Sequence, residues 1–459
     1  MLVRQSFFHF RHNARALTII SLLLVTAVLS YRHFALIHHH AVNLLYWDQW
    51  GFFEPLFAGK RWWELFRWQH GPWRQGAGVL SYLLAELTNW NSRAESFFIG
   101  FLVWLAMLAA FWLKWRLFGK LTAYDAAIPL IILTATQFQT YAGAVSSAPT
   151  AFPMLLIVLY CLAWTAERRL WRMALVLVFN FLLVNTGYGL LIGAITLGLF
   201  VIECWNQRRQ RLGFISSLAG LTFSVLTIVV FLYDYNFEHF SSSVEQRVAR
   251  LWDYPLFAGL MFGRFVRPYP NRIAWFTYPA MALGLGLLLL ATVVLFIHLQ
   301  RVFNQEFADR RINLVTLILV GYGLLFVANA ALGRAGMGLN GSQSSRFVTL
   351  MIPGVLGLYF HLLTLKPGRR RQTCLIVFLI LLLPGHLPLR LGDSHPAASF
   401  SRNKRAWKDC FLRTGNQDYC NQLTGFPVLS AMEPEVLQSR INFMKNNRLN
   451  LYNQTEDYR

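Results

Sequence analysis

Long unbroken apolar runs separated by shorter polar stretches dominate the chain. Runs of about 17–25 apolar residues are candidate membrane-spanning helices. Eleven are read: 16–37, 94–113, 126–142, 150–166, 171–186, 188–204, 213–233, 277–298, 312–331, 349–365 and 373–390. Those in the middle are short, so the stretch 126–204 admits other counts. A further apolar segment, 77–88, is expected to pack at the membrane face or dip into it. The strict apolar–polar alternation of a membrane β-barrel is not the pattern. The expected fold is therefore all-α: a polytopic transmembrane helix bundle of about eleven spans, with interfacial helices in the first extracytoplasmic loop.

The polar stretches sort by charge. Arg4, Arg11 and Arg15 precede the first run. Lys114, Arg116 and Lys120 follow the second, and alternate later loops carry Arg168, Arg169 and Arg172; Arg208, Arg209 and Arg211; Arg301, Arg310 and Arg311; and Lys366 with Arg369, Arg370 and Arg371. Short basic loops face the cytoplasm, so the N-terminus is expected inside and, with eleven spans, the C-terminus outside. The long segments 38–93, 234–276, 332–348 and 391–459 then share the outer face. Two units follow: a transmembrane domain at 1–390 and a small extracytoplasmic segment at 391–459. The first run is read as an uncleaved signal anchor.

Composition narrows the class. Of 459 residues, 56% are hydrophobic and 14% charged, and the mean hydropathy is +0.41. A soluble domain carries roughly 25% charged residues, so a cytosolic enzyme, a secreted disulfide module and a disordered chain are excluded. The net charge of +21 comes from clusters between apolar runs rather than from a soluble basic domain, so nucleic acid is not an expected partner. A multi-pass protein of the bacterial inner (plasma) membrane is the expected localisation. Cys161, Cys204 and Cys374 lie in or beside apolar runs and read as inert thiols. Cys410 and Cys420 share the polar tail, where an outer location favours a disulfide.

Chemistry-bearing residues concentrate in the first long loop. Tyr46-Trp47-Asp48-Gln49-Trp50-Gly51 leads through Phe52, Phe53, Glu54 and Pro55 to 60–68, which reads as an aromatic-rich amphipathic helix at headgroup depth. The loop closes on His70-Gly71-Pro72-Trp73-Arg74. A carboxylate held between indoles near a bilayer is partly desolvated and can serve as a general base. Asp48 equally fits an N-cap for the helix that follows. In the second long loop, Phe237-Glu238-His239-Phe240 offers a second acid or an acceptor lining, and Arg264-Phe-Val-Arg267-Pro-Tyr-Pro offers cations to guide a lipid phosphate. Solvated ion pairs explain that loop as well. His38, His39 and His40 point in different directions on any regular backbone, so a polar step out of the membrane, not a metal site, is read there. Asn185–Gly189 reads as a turn.

The Trp47-Asp48-Gln49-Trp50 stretch is similar to the W-D-D-x motif of bacterial GT-C glycosyltransferases, with Gln49 in place of the second Asp. His70 to Arg74 resembles an H-x-x-H-R pattern of related bacterial membrane proteins, with Trp73 at the second His. Gly333-Arg334-Ala335-Gly336 followed by Ser344-Ser345-Arg346-Phe347 resembles their A-R-x-G and S-R-Y pattern, with Phe347 for Tyr. The resemblance covers the topology and these three motifs. It implies transfer of a sugar from a polyprenyl-phosphate donor to a glycan, lipid or protein acceptor on the outer face, with inversion at the anomeric carbon. Asp48 is then the catalytic base. Arg74, Arg334, Arg346, His70, Glu54 and Arg267 are the candidate substrate-binding residues. With a single acid in the motif, neither a metal nor another cofactor is expected.

Two other readings compete. An O-antigen polymerase or ligase-like enzyme also handles lipid-linked glycans, with its chemistry concentrated late in the chain. A lipid or glycan transporter (flippase) needs ionisable groups or broken helices inside the spans. The position of Asp48, Arg334 and Arg346 in space discriminates: one shared outer cavity with a lateral opening favours an enzyme over a transporter, and scattering on the rim removes the basis of the site.

Overall fold

The computed structural model describes residues 2–237, 250–266, 277–304, 307–386, 396–428 and 434–453. Among them the fold is all-α, and the strands Gln69–His70 (β1) and Trp73–Arg74 (β2) form one small antiparallel hairpin.

Seven helices are apolar and long enough to cross a membrane: Ala16–His40, Ser92–Phe118, Gly187–Gln207, Arg211–Leu232, Tyr278–Asn304, Arg311–Met337 and Ser345–Thr364. The expected eleven spans are therefore not confirmed. The runs at 150–166, 171–186 and 373–390 form the helices Ala151–Trp164, Arg169–Val184 and Arg369–Leu382. At 1.5 Å per residue these reach only about 21–24 Å, short of a bilayer core of about 30 Å.

The run 126–142 is not one helix. It breaks into Ala127–Ile132, a 3₁₀ turn at Ala135–Gln137 and Gln139–Ala142. Irregular backbone at such depth is tolerated only when protein surrounds it, and here polar side chains take up the freed groups. The Thr134 hydroxyl caps the turn at the Thr136 amide. The Gln137 amide donates to the Ile132 carbonyl at 2.6 Å, and Thr349 donates to Gln137 at 2.9 Å.

For reference below, Leu2–His40 is α1, Gln49–Phe52 α2, Trp62–Arg67 α3, Ser92–Phe118 α4, Arg211–Leu232 α5, Thr277–Asn304 α6, Phe307–Arg334 α7, Ser345–Thr364 α8, Pro396–Thr414 α9, Gln417–Thr424 α10 and Pro434–Asn446 α11. Helices α7 and α8 form the centre. Their spans are 78% and 83% buried, against 17% for α6, which turns Leu289 and Phe296 outward as a lipid-facing helix does. Gly323 and Gly354 meet face to face: a Cβ on Gly323 would lie 2.7 Å from the Gly354 Cα. Small residues let two membrane helices approach this closely.

Two buried polar clusters tie the bundle together. Lys114 at the end of α4 donates to Asp125 at 2.7 Å, and the Tyr359 hydroxyl of α8 donates to the other carboxylate oxygen at 2.6 Å. The Thr122 amide also donates to Asp125, and Lys114 donates to the Lys120 carbonyl. His298 of α6 lies 2.7 Å from Asn313 of α7 and 3.0 Å from His361 of α8.

At the opposite end, the first loop and the tail fold together. Leu44, Trp50, Phe53 and Trp90 share one core with Trp407, Phe411, Leu437 and Met444. Cys410 and Cys420 are disulfide-bonded, joining α9 to α10. Asn450 lies at the centre of the junction. Its amide nitrogen donates to Asn43, the Trp90 carbonyl and Ser92, and its side-chain oxygen accepts from the Leu45 amide. The positive φ of 49° at Asn450 is one that Asn tolerates better than most residues. The segment 391–459, as far as it is described, thus covers the first loop.

Candidate functional site

The site begins where α1 ends. The chain turns at Asn43–Tyr46, passes through Trp47 with φ +53°, and enters the short helix α2. Asp48 occupies the N-cap position but makes no side-chain cap bond. Its carboxylate instead accepts from Arg346 Nη1 at 2.8 Å, an ion pair between residues nearly three hundred positions apart.

Arg346 is aimed by the broken segment described above. The Ser345 amide donates to Gln139 Oε1 at 2.8 Å, and the Gln139 amide donates back to the Ser345 hydroxyl at 3.1 Å. Ser345 also donates to the Thr136 carbonyl. The first turn of α8 is thereby clamped to the segment 136–139, and Arg346 projects toward the first loop. Both members of the pair remain about a third exposed. An ion pair that wet stabilises the fold by only about 0–1 kcal/mol, so its interest lies in chemistry.

An open cleft of about 190 Å³ lies beside the pair. Tyr46, Trp47 and Phe400 form an aromatic wall, with Gln139, Ser344 and Arg346 on the polar side. Behind the wall, Tyr46 stacks on Phe426 with ring centroids 5.1 Å apart. Lys404 of α9 is buried, donates to the Gly143 carbonyl at 2.7 Å and lies 4.8 Å from the Tyr46 ring centroid. Burial pulls its ammonium down to about 7, while the carbonyl and the ring face favour the charged form. A carboxylate, a partly exposed guanidinium, a buried lysine behind the wall and aromatic faces suit a ligand that joins an anion to a flat, partly apolar body.

No protein-family model matches the chain, and no curated protein or solved structure is significantly similar to it.

The other sequence candidates lie elsewhere. Arg334, the last residue of α7, packs its guanidinium 5.1 Å from the ring centroid of Phe347, the residue after Arg346, and is not on the cleft wall. Glu54 pairs with Arg440 of the tail at 3.2 Å. His70 sets its ring 4.5 Å from Phe52, over Gly51, where a Cβ would lie 2.3 Å from the imidazole. Arg267, with Glu238, His239 and Tyr269, lies outside the described residues. Among the described residues no group of three or more His, Cys, Asp or Glu side chains gathers to hold a metal ion. The three adjacent histidines splay, with ring centroids 5.4 and 6.5 Å apart.

Arg74 is not brought to Asp48. Its guanidinium is buried and donates to the carbonyls of Phe231 at 2.8 Å, Tyr233 at 2.6 Å and Arg67 at 2.6 Å. Two of these carbonyls belong to the end of α5, where a helix leaves its last carbonyls without internal partners. Arg74 therefore closes that helix against the first loop instead of facing a phosphate. Replacing it with Met is expected to lower stability by about 1–2 kcal/mol, because the Phe231 and Arg67 carbonyls lose their donor while the Tyr233 carbonyl keeps the Arg67 guanidinium at 2.6 Å. Lipid-phosphate binding by the folded fraction should not change. Thermal melting of the purified protein in detergent, with binding measured below the transition, checks both parts.

Sequence reasoning missed Lys404 and Gln139, and it met Ser344 only as part of the Ser344–Phe347 motif, with no role of its own. Lys404 is one of many basic residues in an amphipathic tail helix, and only the folded tail buries it. Gln139 had a signal, as a polar residue interrupting an apolar run together with Thr134, Thr136 and Gln137.

Proposed function

We propose that this protein is a membrane-embedded glycosyltransferase of the GT-C type, moving a sugar from a polyprenyl-phosphate donor to a hydroxyl acceptor. The observation that carries the reading is the Asp48–Arg346 ion pair at the mouth of an aromatic cleft. It supports a division of labour that such a transfer requires. Arg346 uses one nitrogen of its fork on Asp48, and the remaining N–H groups suit a phosphate oxygen. When the donor phosphate engages the guanidinium, the Asp48 carboxylate is left to take the proton of the acceptor hydroxyl. The hydroxyl oxygen attacks the anomeric carbon from the face opposite the phosphate. The bond from that carbon to the phosphate oxygen breaks, the electron pair leaves with the polyprenyl phosphate, and the configuration inverts. Arg346 stabilises the charge that grows on the leaving oxygen.

In this reading the cleft faces the periplasm, the N-terminus of α1 the cytoplasm, and the tail the same side as the cleft, as the basic loops imply. The bundle lies in the bacterial inner membrane. No metal or other cofactor enters the scheme.

The test is transfer from radiolabelled decaprenyl-phosphate sugars to membrane glycans and lipids by the purified protein in lipid. Wild type is expected to transfer at least one sugar. Arg346→Ala should raise KM for that donor and lower kcat, since the guanidinium serves both the bound donor and the departing phosphate. An Arg346→Ala protein with unchanged KM and kcat would remove the basis of the proposal.

A further inference from the structure

Trp47 holds the one bulky side chain on the cleft wall whose backbone sits in the left-handed region, at φ +53°. For a residue with a large side chain that conformation costs of order 1–2 kcal/mol, and it persists only where neighbours over-determine it. Neighbours from the tail and from the following helix do so here. The Trp47 amide donates to the Val428 carbonyl of the tail at 2.9 Å, and its carbonyl accepts from the Trp50 amide at 3.2 Å. The adjacent Tyr46 is held by Phe426 and Lys404.

Strain and exposure coincide at Trp47. Trp50, three residues on, is 1% exposed within the core shared by loop and tail, and Trp90, which has a left-handed backbone too at φ +60°, is 6% exposed in that core, whereas Trp47 is 41% exposed and lines the cleft. The left-handed backbone alone does not expose an indole; what sets Trp47 apart is an exposed aromatic side chain at an open cleft, on a backbone fixed by a tail residue from the far end of the sequence. The next residue is Asp48, paired with Arg346.

We infer that the Trp47 indole is the platform on which a pyranose ring stacks, so that the cleft binds a hexose carried on a polyprenyl phosphate. The inference rests on the proposed reading of the cleft as a donor site. The indole face offers a rigid apolar surface to the C–H face of the sugar. Gln139 Oε1 already accepts from Ser344 and from the Ser345 amide, which leaves the Gln139 NH2 group as a donor and the Ser344 oxygen as an acceptor for the sugar hydroxyls, and Arg346 takes the phosphate one sugar ring away. Stacking of this kind discriminates the sugar, not the lipid or the phosphate.

The experiment compares bare decaprenyl phosphate with decaprenyl phosphates bearing glucose, galactose or mannose, each competing against radiolabelled decaprenyl phosphate on the purified full chain in lipid nanodiscs. Wild type is expected to bind at least one hexosyl lipid about tenfold tighter than the bare lipid. Trp47→Leu should erase that preference and leave bare-lipid affinity within about twofold, which also shows that the variant is folded. Trp47→Phe should keep most of the preference, because it keeps a ring face. The inference is overturned if Trp47→Leu retains the preference, or if it weakens bare and hexosyl lipids in parallel, as a membrane anchor or a packing residue would. Wild type that binds the bare lipid with no preference for any hexose also overturns it, and leaves the donor-phosphate reading standing. Wild type that binds neither lipid overturns that reading and the inference with it.

Discussion

Asp48→Asn is expected to lower sugar transfer about a thousandfold, within the 10²–10⁴ range of a positioned general base, and to leave stability within about 1 kcal/mol. The two numbers separate the roles that the sequence left open. Asp48 stands at the N-cap of α2 without capping it, so removing its charge does not unravel a helix. Its pair with Arg346 is about a third exposed, so breaking it costs the fold little. Asn keeps the shape and a hydrogen-bond acceptor for Arg346 but has no basicity for an acceptor proton. Donor binding, which depends on Arg346, should therefore survive, and the loss should appear in kcat rather than in KM. Turnover, donor affinity and melting temperature, measured on one preparation, decide the matter. Transfer within threefold of wild type would make Asp48 a mere partner of Arg346 and move the base elsewhere in the cleft.

Asp125→Asn carries the largest expected effect on stability, about 3–5 kcal/mol. Lys114 and Asp125 are almost wholly buried. Removing one partner of such a pair leaves the other charge without compensation in a low-dielectric interior. Asn keeps one acceptor oxygen where Asp125 has two, so it holds the Thr122 amide or the Tyr359 hydroxyl but not both, and the cost combines the stranded Lys114 ammonium with one lost hydrogen bond. A second change tests that account: Lys114→Met in the Asp125→Asn background should recover more than half of the loss, because no buried charge then remains. Melting temperatures of the two single variants and the double variant in detergent measure the coupling. Additive destabilisation by the two changes would mean that the pair matters through shape and not through charge. The cluster joins α4 to α8 at the end of the bundle away from the cleft, so the double variant should transfer sugar at the wild-type rate.

The helical class was legible wherever an apolar run was long and uniform. The runs at 94–113, 277–298 and 312–331 became α4, α6 and α7, with ends a few residues further out where polar residues extend the same helix. The run 126–142 looked the same and is not one helix. Inside a bundle a buried irregular segment must be as apolar as a helix, so hydropathy alone does not tell them apart. What differs is the set of partners for its backbone, and those come from α8. The same distinction governs the site. Asp48 stood out as an acid among aromatic residues, and Arg346 through a short motif, but their meeting depends on Gln139 and Ser345 clamping α8 in place. Arg74 looked like Arg346 in sequence and differs from it in what reaches it: three carbonyls rather than a carboxylate. Lys404 carried no signal at all, since burial is a property of the folded tail.

The union of first loop and tail has a consequence for how the molecule is made. Trp50, Phe53 and Trp90 leave the ribosome several hundred residues ahead of Trp407, Phe411 and Met444, which cover them. At roughly 5–20 residues per second, translation leaves that aromatic surface bare for some tens of seconds on a chain already threading into the bilayer. Over the same interval Phe400, which lines the cleft, and Phe426, which backs Tyr46, are not yet in place. Nascent chains accordingly carry an adhesive face and no finished cleft until the last-made segment closes over the first.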